Sequence, residues 1–158
     1  MSGTVSETYV AAIQHDLADL DGGETLVGVV REPTGWFHAA VDENVAELGP
    51  PSALLEETKQ RAEDLKLQGL CEEGAHNAAW DETEFESRYL AHLADAAPRR
   101  ALDDLTDRVA DGEDVVLVCF EGERKRCHRT LLRDRLRDRV DGGREPGASS
   151  RSPRNRGP

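Results

Sequence analysis

The stretch VVLVCFEGERKRCHR, residues 115–129, joins an apolar run to a short charged segment that ends in Cys-His-Arg. A nearly continuous apolar run such as Val115 to Phe120 is typical of a strand that is buried on both faces. After a loop over Glu121 to Arg126, apolar residues recur at helical spacing, at Leu131, Leu132, Leu136 and Val140. The stretch therefore predicts a strand, a loop and a helix in that order.

The rest of the chain alternates between the same two patterns. Thr25 to Val30 is short, apolar and β-branched, and it predicts a second buried strand. Four more helices are predicted: one after the capping pair Thr4 and Glu7, one opened by Pro50-Pro51-Ser52, one after the pair Asp81 and Glu84, and one from Pro98 to Asp111-Gly112. This order predicts an α/β domain with a small parallel or mixed sheet and packed helices.

Length and composition set the limits of that domain. A chain of 158 residues can bury one hydrophobic core, so residues 1–140 are predicted to form a single domain. Residues 141–158 are mainly Gly, Arg, Ser and Pro, which predicts a disordered tail. The start of the chain does not resemble a secretory signal, and no run of about 18 apolar residues is present, so we expect a cytoplasmic protein without membrane contact. Three cysteines without a CxxC pair predict free thiols.

The charge is strongly acidic overall but basic at one end. The net charge of -12 comes from 32 acidic and 20 basic residues, and only Lys59, Lys66 and Lys125 are lysines. A halophilic source and a GC-rich genome both explain an acidic, lysine-poor chain. From Arg124 onward there are 12 basic and 4 acidic residues, a charge of +8 against -20 before it. Such asymmetry indicates either a contact with nucleic acid or a membrane surface, or packing of this end against acidic surface of the same molecule.

The chemistry-bearing residues cluster around the loop that follows the clearest strand. Cys119 and Glu121 come where this strand ends, and Cys127-His128-Arg129 comes where the last helix begins. Ligands of open α/β sheets bind at the carboxyl ends of strands, and a helix N-terminus favours anions and thiolates. Arg129 is a candidate clamp for phosphate or carboxylate, and Arg31, at the end of the first predicted strand, should face the same edge.

Each of these residues also has a purely structural interpretation. Cys127 is a candidate nucleophile, but it can also be a small buried residue that only packs. His128 is a candidate acid or base, or it forms hydrogen bonds with nearby backbone. Glu121 either orients a ligand or pairs with a nearby arginine. Cys119 is expected in the core. A zinc site at Cys119, Cys127 and His128 lacks a fourth ligand with recognisable spacing, so no metal is predicted.

Three aromatic or polar positions elsewhere have the same two interpretations. Trp36, in a predicted loop after Gly35, either offers a stacking wall for a ring or closes the core. Trp80 is expected in the core and Asn77 in a turn. His15 and His92 are placed on polar helix faces and receive no role.

The pattern Cys119-x-Glu121, a short basic loop and Cys127-His128-Arg129 resembles the signature of the domain-of-unknown-function family 488. The run Val30-Arg31-Glu32-Pro33 and the aromatic pair Phe85 and Tyr89 add to the resemblance, which covers Leu26 to Leu136. The sequence differs in lacking a Thr-Ile-Gly-His-Ser-like strand near its start and in having Val29 where an acidic residue often stands. The resemblance implies where the site lies, but no reaction, since the family's activity is not established.

Two functional hypotheses follow. In the first, Arg129, Arg31 and the last helix bind a phosphate-bearing or nucleotide-like anion, and Cys127 and His128 form the reactive pair. In the second, a non-catalytic module binds nucleic acid or an acidic partner through its basic end, and the Cys-His-Arg turn is structural. The sequence leaves open whether the protein is an enzyme and predicts no cofactor.

Overall fold

The computed structural model describes residues 2–15, 20–120, 122 and 125–142. These residues form one sheet, in which β4 is one of two interior strands. Within this part of the chain, four parallel strands lie in the order β1-β4-β2-β3: β1 (Val5–Tyr9), β2 (Thr25–Gly28), β3 (Glu43–Asn44) and β4 (Val115–Cys119). Val115 of β4 is paired with Val5 on one side and with Thr25 on the other. All five residues of β4 are buried because neighbours cover both edges and both faces, so the predicted α/β class is confirmed.

Helices cover both faces of the sheet. The helices are α1 (Val10–Gln14), α2 (Gly35–Ala40), α3 (Ser52–Leu67), α4 (Glu72–Glu82), α5 (Phe85–His92), α6 (Ala96–Ala110) and α7 (His128–Asp141), with a 3-10 turn at Ala46–Leu48. The predicted helices α3, α5, α6 and α7 are confirmed, and α6 begins at Ala96 with Pro98 in its first turn. None of the helices in the described ranges is long and apolar enough to cross a membrane.

The core has one part on each face of the sheet. The larger part packs α5, α6 and α7 on one face through fully buried side chains that include Tyr89, Leu102, Leu105, Leu117, Leu132 and Leu136. The smaller part, on the other face, contains Val10, Val30, Phe37, Val116, Val118, Cys119 and Cys127. Because side chains alternate along a strand, Leu117 faces the first part while Val118 faces the second. The predicted tail lies almost entirely outside the described residues.

The prediction of a capping box at the start of the chain is wrong. Val5–Tyr9 forms strand β1 along one edge of β4, and helix α1 begins after it, at Val10. Thr4 binds Asp114 instead of capping a helix: its backbone N and its Oγ1 lie 2.9 and 3.2 Å from Asp114 Oδ1. Pairing with the central strand outweighs the local helix signal. A strand therefore lies near the start of the chain, although its sequence, VSETY, is not Thr-Ile-Gly-His-Ser-like.

Three further local predictions are wrong. Trp36 lies on α2 and not in a loop, and Asn77 lies on α4 and not in a turn. The pair Asp81 and Glu84 is no capping box, because Asp81 lies inside α4 and Glu84 precedes α5 in a left-handed conformation with φ of 56°. Helix α4 was missed because its N-cap is an unusual one, Cys71, whose sulfur accepts the N–H of Gly74. The expected burial of Trp80 is confirmed.

Gly28 in β2 permits the close approach of α2 and β3. A Cβ at this position would lie 2.5 Å from Phe37 Cε1 and 2.5 Å from Asn44 Oδ1. We expect Gly28→Ala to lower the free energy of unfolding by about 1 to 3 kcal/mol, as overpacking does. Urea denaturation measures it, with Gly23→Ala as the control because a Cβ there meets nothing within 4 Å. Equal unfolding midpoints for the two variants would contradict the packing argument.

Candidate active site

A cavity of about 470 Å³ opens at the carboxyl ends of β2 and β4. Its walls come from α3, from α4, from residues 30–32 after β2, and from the segment that connects β4 to α7. Cys119, Cys127 and His128 lie along its buried side, and Arg31 lies at the end of the neighbouring strand. The two sequence segments that were predicted to face one sheet edge thus line the same cavity.

The cavity concentrates positive charge in an acidic protein. All three lysines of the chain, Lys59, Lys66 and Lys125, line it together with Arg31 and Arg126. Three carboxylates, Glu32, Glu63 and Glu72, also line it, and two of them pair with lysines: Lys66 with Glu63 at 2.7 Å and Lys125 with Glu72 at 2.6 Å. Five cations against three anions favour an anionic ligand.

Helix α4 holds the loop that carries the basic residues. Asn77 Oδ1 accepts the backbone N–H of Arg126 at 2.9 Å, and His76 Nε2 lies 2.8 Å from the carbonyl oxygen of the same residue. The Arg126 side chain also pairs with Asp81 on α4. These contacts fix the backbone immediately before Cys127, so the position of the thiol depends on a helix that lies about fifty residues earlier in the chain.

His128 is oriented so that it can act as a base toward Cys127. Its Nε2 lies 2.5 Å from the carbonyl oxygen of Val29, and because a carbonyl only accepts, Nε2 carries the proton of the neutral ring. Nδ1 is then the unprotonated nitrogen, and it lies 3.5 Å from Cys127 Sγ. Val29 is itself fixed to the sheet by its N–H, which donates to Val118 O at 3.0 Å. The arrangement has the three parts of an activated nucleophile: thiol, base and a group that orients the base.

Cys119 supports Cys127 from the end of β4. The two sulfur atoms lie 2.6 Å apart, and Arg129 Nη1 donates to Cys119 Sγ at 2.6 Å. Burial, with the hydrogen bond and the charge of Cys127, raises the pKa of Cys119 well above its ordinary value, although His128 and Arg129 act in the opposite direction. Cys119 therefore keeps its proton at neutral pH and can donate it in a hydrogen bond to the sulfur of Cys127.

Arg129 is held from behind by the edge strand β1. Its Nε donates to Glu7 Oε1 at 2.9 Å, while Thr130 Oγ1 donates to the same oxygen at 2.8 Å. Arg133 pairs with the other Glu7 oxygen at 2.7 Å. Burial lowers the pKa of Arg129, but the nearby Cys119, Cys127 and Glu7 outweigh it and the net shift is upward. The guanidinium thus stays charged although only 4% of the residue is exposed.

Of the two arginines that the sequence predicts for the site, only Arg31 lines the cavity. Arg129 lies outside the lining of the cavity, a geometry that favours positioning of Cys119 over direct contact with a ligand. Arg31 does line it, but its Nε and Nη2 donate to the backbone oxygens of Pro50 and Gly49 at 3.1 and 2.9 Å. Trp36 is half exposed beside the cavity, with its ring 5.8 Å from that of Phe120. Glu121 lies outside the described residues.

Two groups of residues in the site were not anticipated. The capping pattern predicts a helix at Glu7, and the available signal for a strand in the segment VSETY is weak, since it rests on two β-branched residues and one aromatic residue. The lysines had a signal in their rarity, but they are separated along the chain, and only the fold, which packs both α3 and the β4–α7 loop on α4, brings them to one cavity. His92, which received no role, has its Nε2 3.3 Å from Arg31 Nη2 and 2.9 Å from Glu47 O.

A family profile described as DUF488-N3a, the active DUF488-N3 subclade, matches residues 8–140. The chain belongs to this family. The DUF488-N3a match contains every residue that lines the cavity, while Glu7 lies one position before it. Comparison with curated proteins and with solved structures gave no match. Within the described ranges, no group of three or more His, Cys, Asp and Glu side chains is arranged to hold a metal ion.

Proposed function

We propose that this protein is a cysteine-dependent enzyme that binds a phosphate-bearing, nucleotide-like anion in the cavity. Cys127 is the nucleophile and His128 the base. The observation that carries the proposal is the Cys127–His128 pair, oriented by Val29 O, on the buried side of a cavity that all three lysines line. The description of the matched family as an active subclade supports an enzymatic role.

The lining of the cavity offers contacts for both the phosphate group and the base of such a ligand. Lys59 and Lys66 on α3 and Lys125 on the loop supply charge for a phosphate group. Trp80 and Phe85, whose rings stack at 3.9 Å, supply apolar surface. Phe120 also lines the cavity and is partly exposed, as expected of a ring that can contact a base.

The proposed reaction begins with transfer of the Cys127 proton to His128 Nδ1. The sulfur attacks the electrophilic centre of the ligand, a bond between sulfur and this centre forms, and the bond from the centre to the departing group breaks as that group takes the proton from the imidazolium. Water, deprotonated by the same nitrogen, then attacks the centre, the bond to sulfur breaks, and the Cys127 thiolate takes the proton back from the imidazolium. The Cys119 S–H stabilises negative charge on Cys127 by donating to it, and Arg129 keeps Cys119 in place.

The arginines of α7 support this proposal over nucleic-acid binding. Arg133 pairs with Glu7 and Asp134, Arg139 pairs with Asp103, and Arg137 Nε donates to Val5 O at 2.9 Å. These side chains bind acidic groups and backbone of the same molecule, which agrees with the interpretation that the basic end of the chain packs against its own acidic surface. Much of the positive charge of this helix is therefore compensated within the fold.

A thermal-shift experiment tests the binding half of the proposal. We expect a nucleoside monophosphate to raise the melting temperature more than inorganic phosphate does, and the uncharged nucleoside to have little effect. Replacing Lys59 and Lys66 together with Ala should weaken binding of the monophosphate by roughly tenfold, since each exposed charge contributes about 0.2 to 1 kcal/mol. The same pair of changes at Arg99 and Arg100, on the exposed side of α6, is the matched control. Unchanged binding in the lysine variant would contradict the proposed anion site.

A further inference from the structure

Cys119 and Cys127 are two thiols in direct contact at the cavity. Their sulfur atoms lie 2.6 Å apart, and the residues are only 1% and 5% exposed. The sulfurs of a disulfide are separated by about 2.05 Å. One thiol ends a central strand and the other precedes a long helix, and the sulfurs are about 0.6 Å from bonding distance.

A small oxidant can reach this pair through the cavity. Both cysteines line the cavity, which is large enough for a peroxide molecule. His128 Nδ1 lies 3.5 Å from Cys127 Sγ and can take its proton, which leaves the thiolate that reacts with peroxides. The third cysteine, Cys71, is exposed at the start of α4, where its sulfur accepts the Gly74 N–H at 3.3 Å.

We propose that Cys119 and Cys127 form a reversible intramolecular disulfide when a peroxide enters the cavity. The Cys127 thiolate attacks the peroxide O–O bond, which breaks to give a sulfenic acid on Cys127 and hydroxide, released as water after taking up a proton. Cys119 then attacks the Cys127 sulfur, the S–S bond forms, the S–O bond breaks, and the Cys119 proton leaves with the hydroxide as a second water. Two thiols supply the two electrons that reduce the peroxide.

The disulfide acts as a switch on the proposed function. The regulatory effect of the disulfide rests on the proposed function, because oxidation inactivates the enzyme only if Cys127 is the nucleophile. Oxidation also converts the Cys119 thiol, which accepts a hydrogen bond from Arg129 Nη1, into a disulfide sulfur. A small-molecule thiol restores both cysteines by two exchange steps and is itself oxidised to a disulfide.

The experiment uses the full chain with Cys71→Ser, so that only the two cavity thiols remain. After hydrogen peroxide we expect an intact mass lower by two hydrogen atoms, a peptide pair joined between residues 119 and 127, and complete loss of iodoacetamide labelling. Dithiothreitol should restore both the mass and the labelling. In the matched variant that also carries Cys119→Ser, peroxide should leave a sulfenic acid on Cys127, detected by dimedone, and no crosslink.

The outcomes separate this proposal from the proposed function. Crosslinking only between chains, or oxidation of Cys127 to sulfenic and sulfinic acid without a Cys119 partner, overturns the disulfide and leaves the nucleophile untouched. A disulfide that forms in a protein whose Cys127 labels no faster than an ordinary cysteine supports the redox pair and contradicts the proposed catalytic pair. A dithiothreitol-reversible crosslink together with fast labelling supports both.

Discussion

His128→Asn is expected to slow alkylation of Cys127 at pH 7 by about 10²-fold, which corresponds to about 2.7 kcal/mol and is typical of the loss of a positioned base. The imidazole lies 3.5 Å from the thiol, with its other nitrogen bonded to Val29 O, and Asn cannot take up the proton. In the wild type, labelling should reach half its maximal rate well below pH 8.5, the approximate pKa of a free cysteine.

Cys127→Ser should still bind the anion and lose turnover.

The measurement follows iodoacetamide labelling of the peptide that contains residue 127 from pH 5 to 10. His38→Asn, on the exposed side of α2, is the control for removal of a histidine and should label as the wild type does. Cys119 should label slowly throughout the neutral range because burial raises its pKa. A wild-type profile with its midpoint at or above pH 8.5 would show that the motif is structural.

Glu7→Gln is expected to lower the free energy of unfolding by about 3 to 5 kcal/mol, the usual cost of removing one partner of a buried ion pair. The carboxylate binds Arg129, Thr130 and Arg133, and the side chain of Arg129 is only 5% exposed. The amide leaves the buried guanidinium without its nearest full negative charge. The effect is large because the remaining charge cannot reach water.

Urea denaturation measures this loss, and Glu57→Gln is the matched control. Glu57 pairs with Arg88 at 2.9 Å, but both side chains are exposed, so no change in the unfolding midpoint is expected. If Glu7 acts only on stability, folded Glu7→Gln protein should label Cys127 at the wild-type rate. If it also positions Arg129 against Cys119, labelling should slow as well. Equal stability of the Glu7 and Glu57 variants would show that the contact of β1 with α7 carries little energy.

Local patterns were sufficient for the part of the site that lies within one segment. The apolar run ending at Cys119 and the helical spacing after Cys127 are properties of consecutive residues, so the strand, the helix and the gap between them could be read directly. The general rule for parallel sheets then placed Cys119, Cys127 and Arg31 at one edge, and the structure confirms that they line one cavity. The tautomer of His128, which decides its chemistry, required the position of Val29 O.

The sequence by itself determined the α/β class, the family and the segment that carries the reactive thiols, because each depends on spacing along the chain. Only the tertiary structure decided that Glu7 belongs to an edge strand and holds Arg129, 122 residues away, and that the three lysines line the same cavity as the thiols. A capping pattern and a strand are close in free energy as isolated segments, and pairing with β4 decides between them. Contacts between distant residues leave no periodic pattern, so they are determined only when the chain folds.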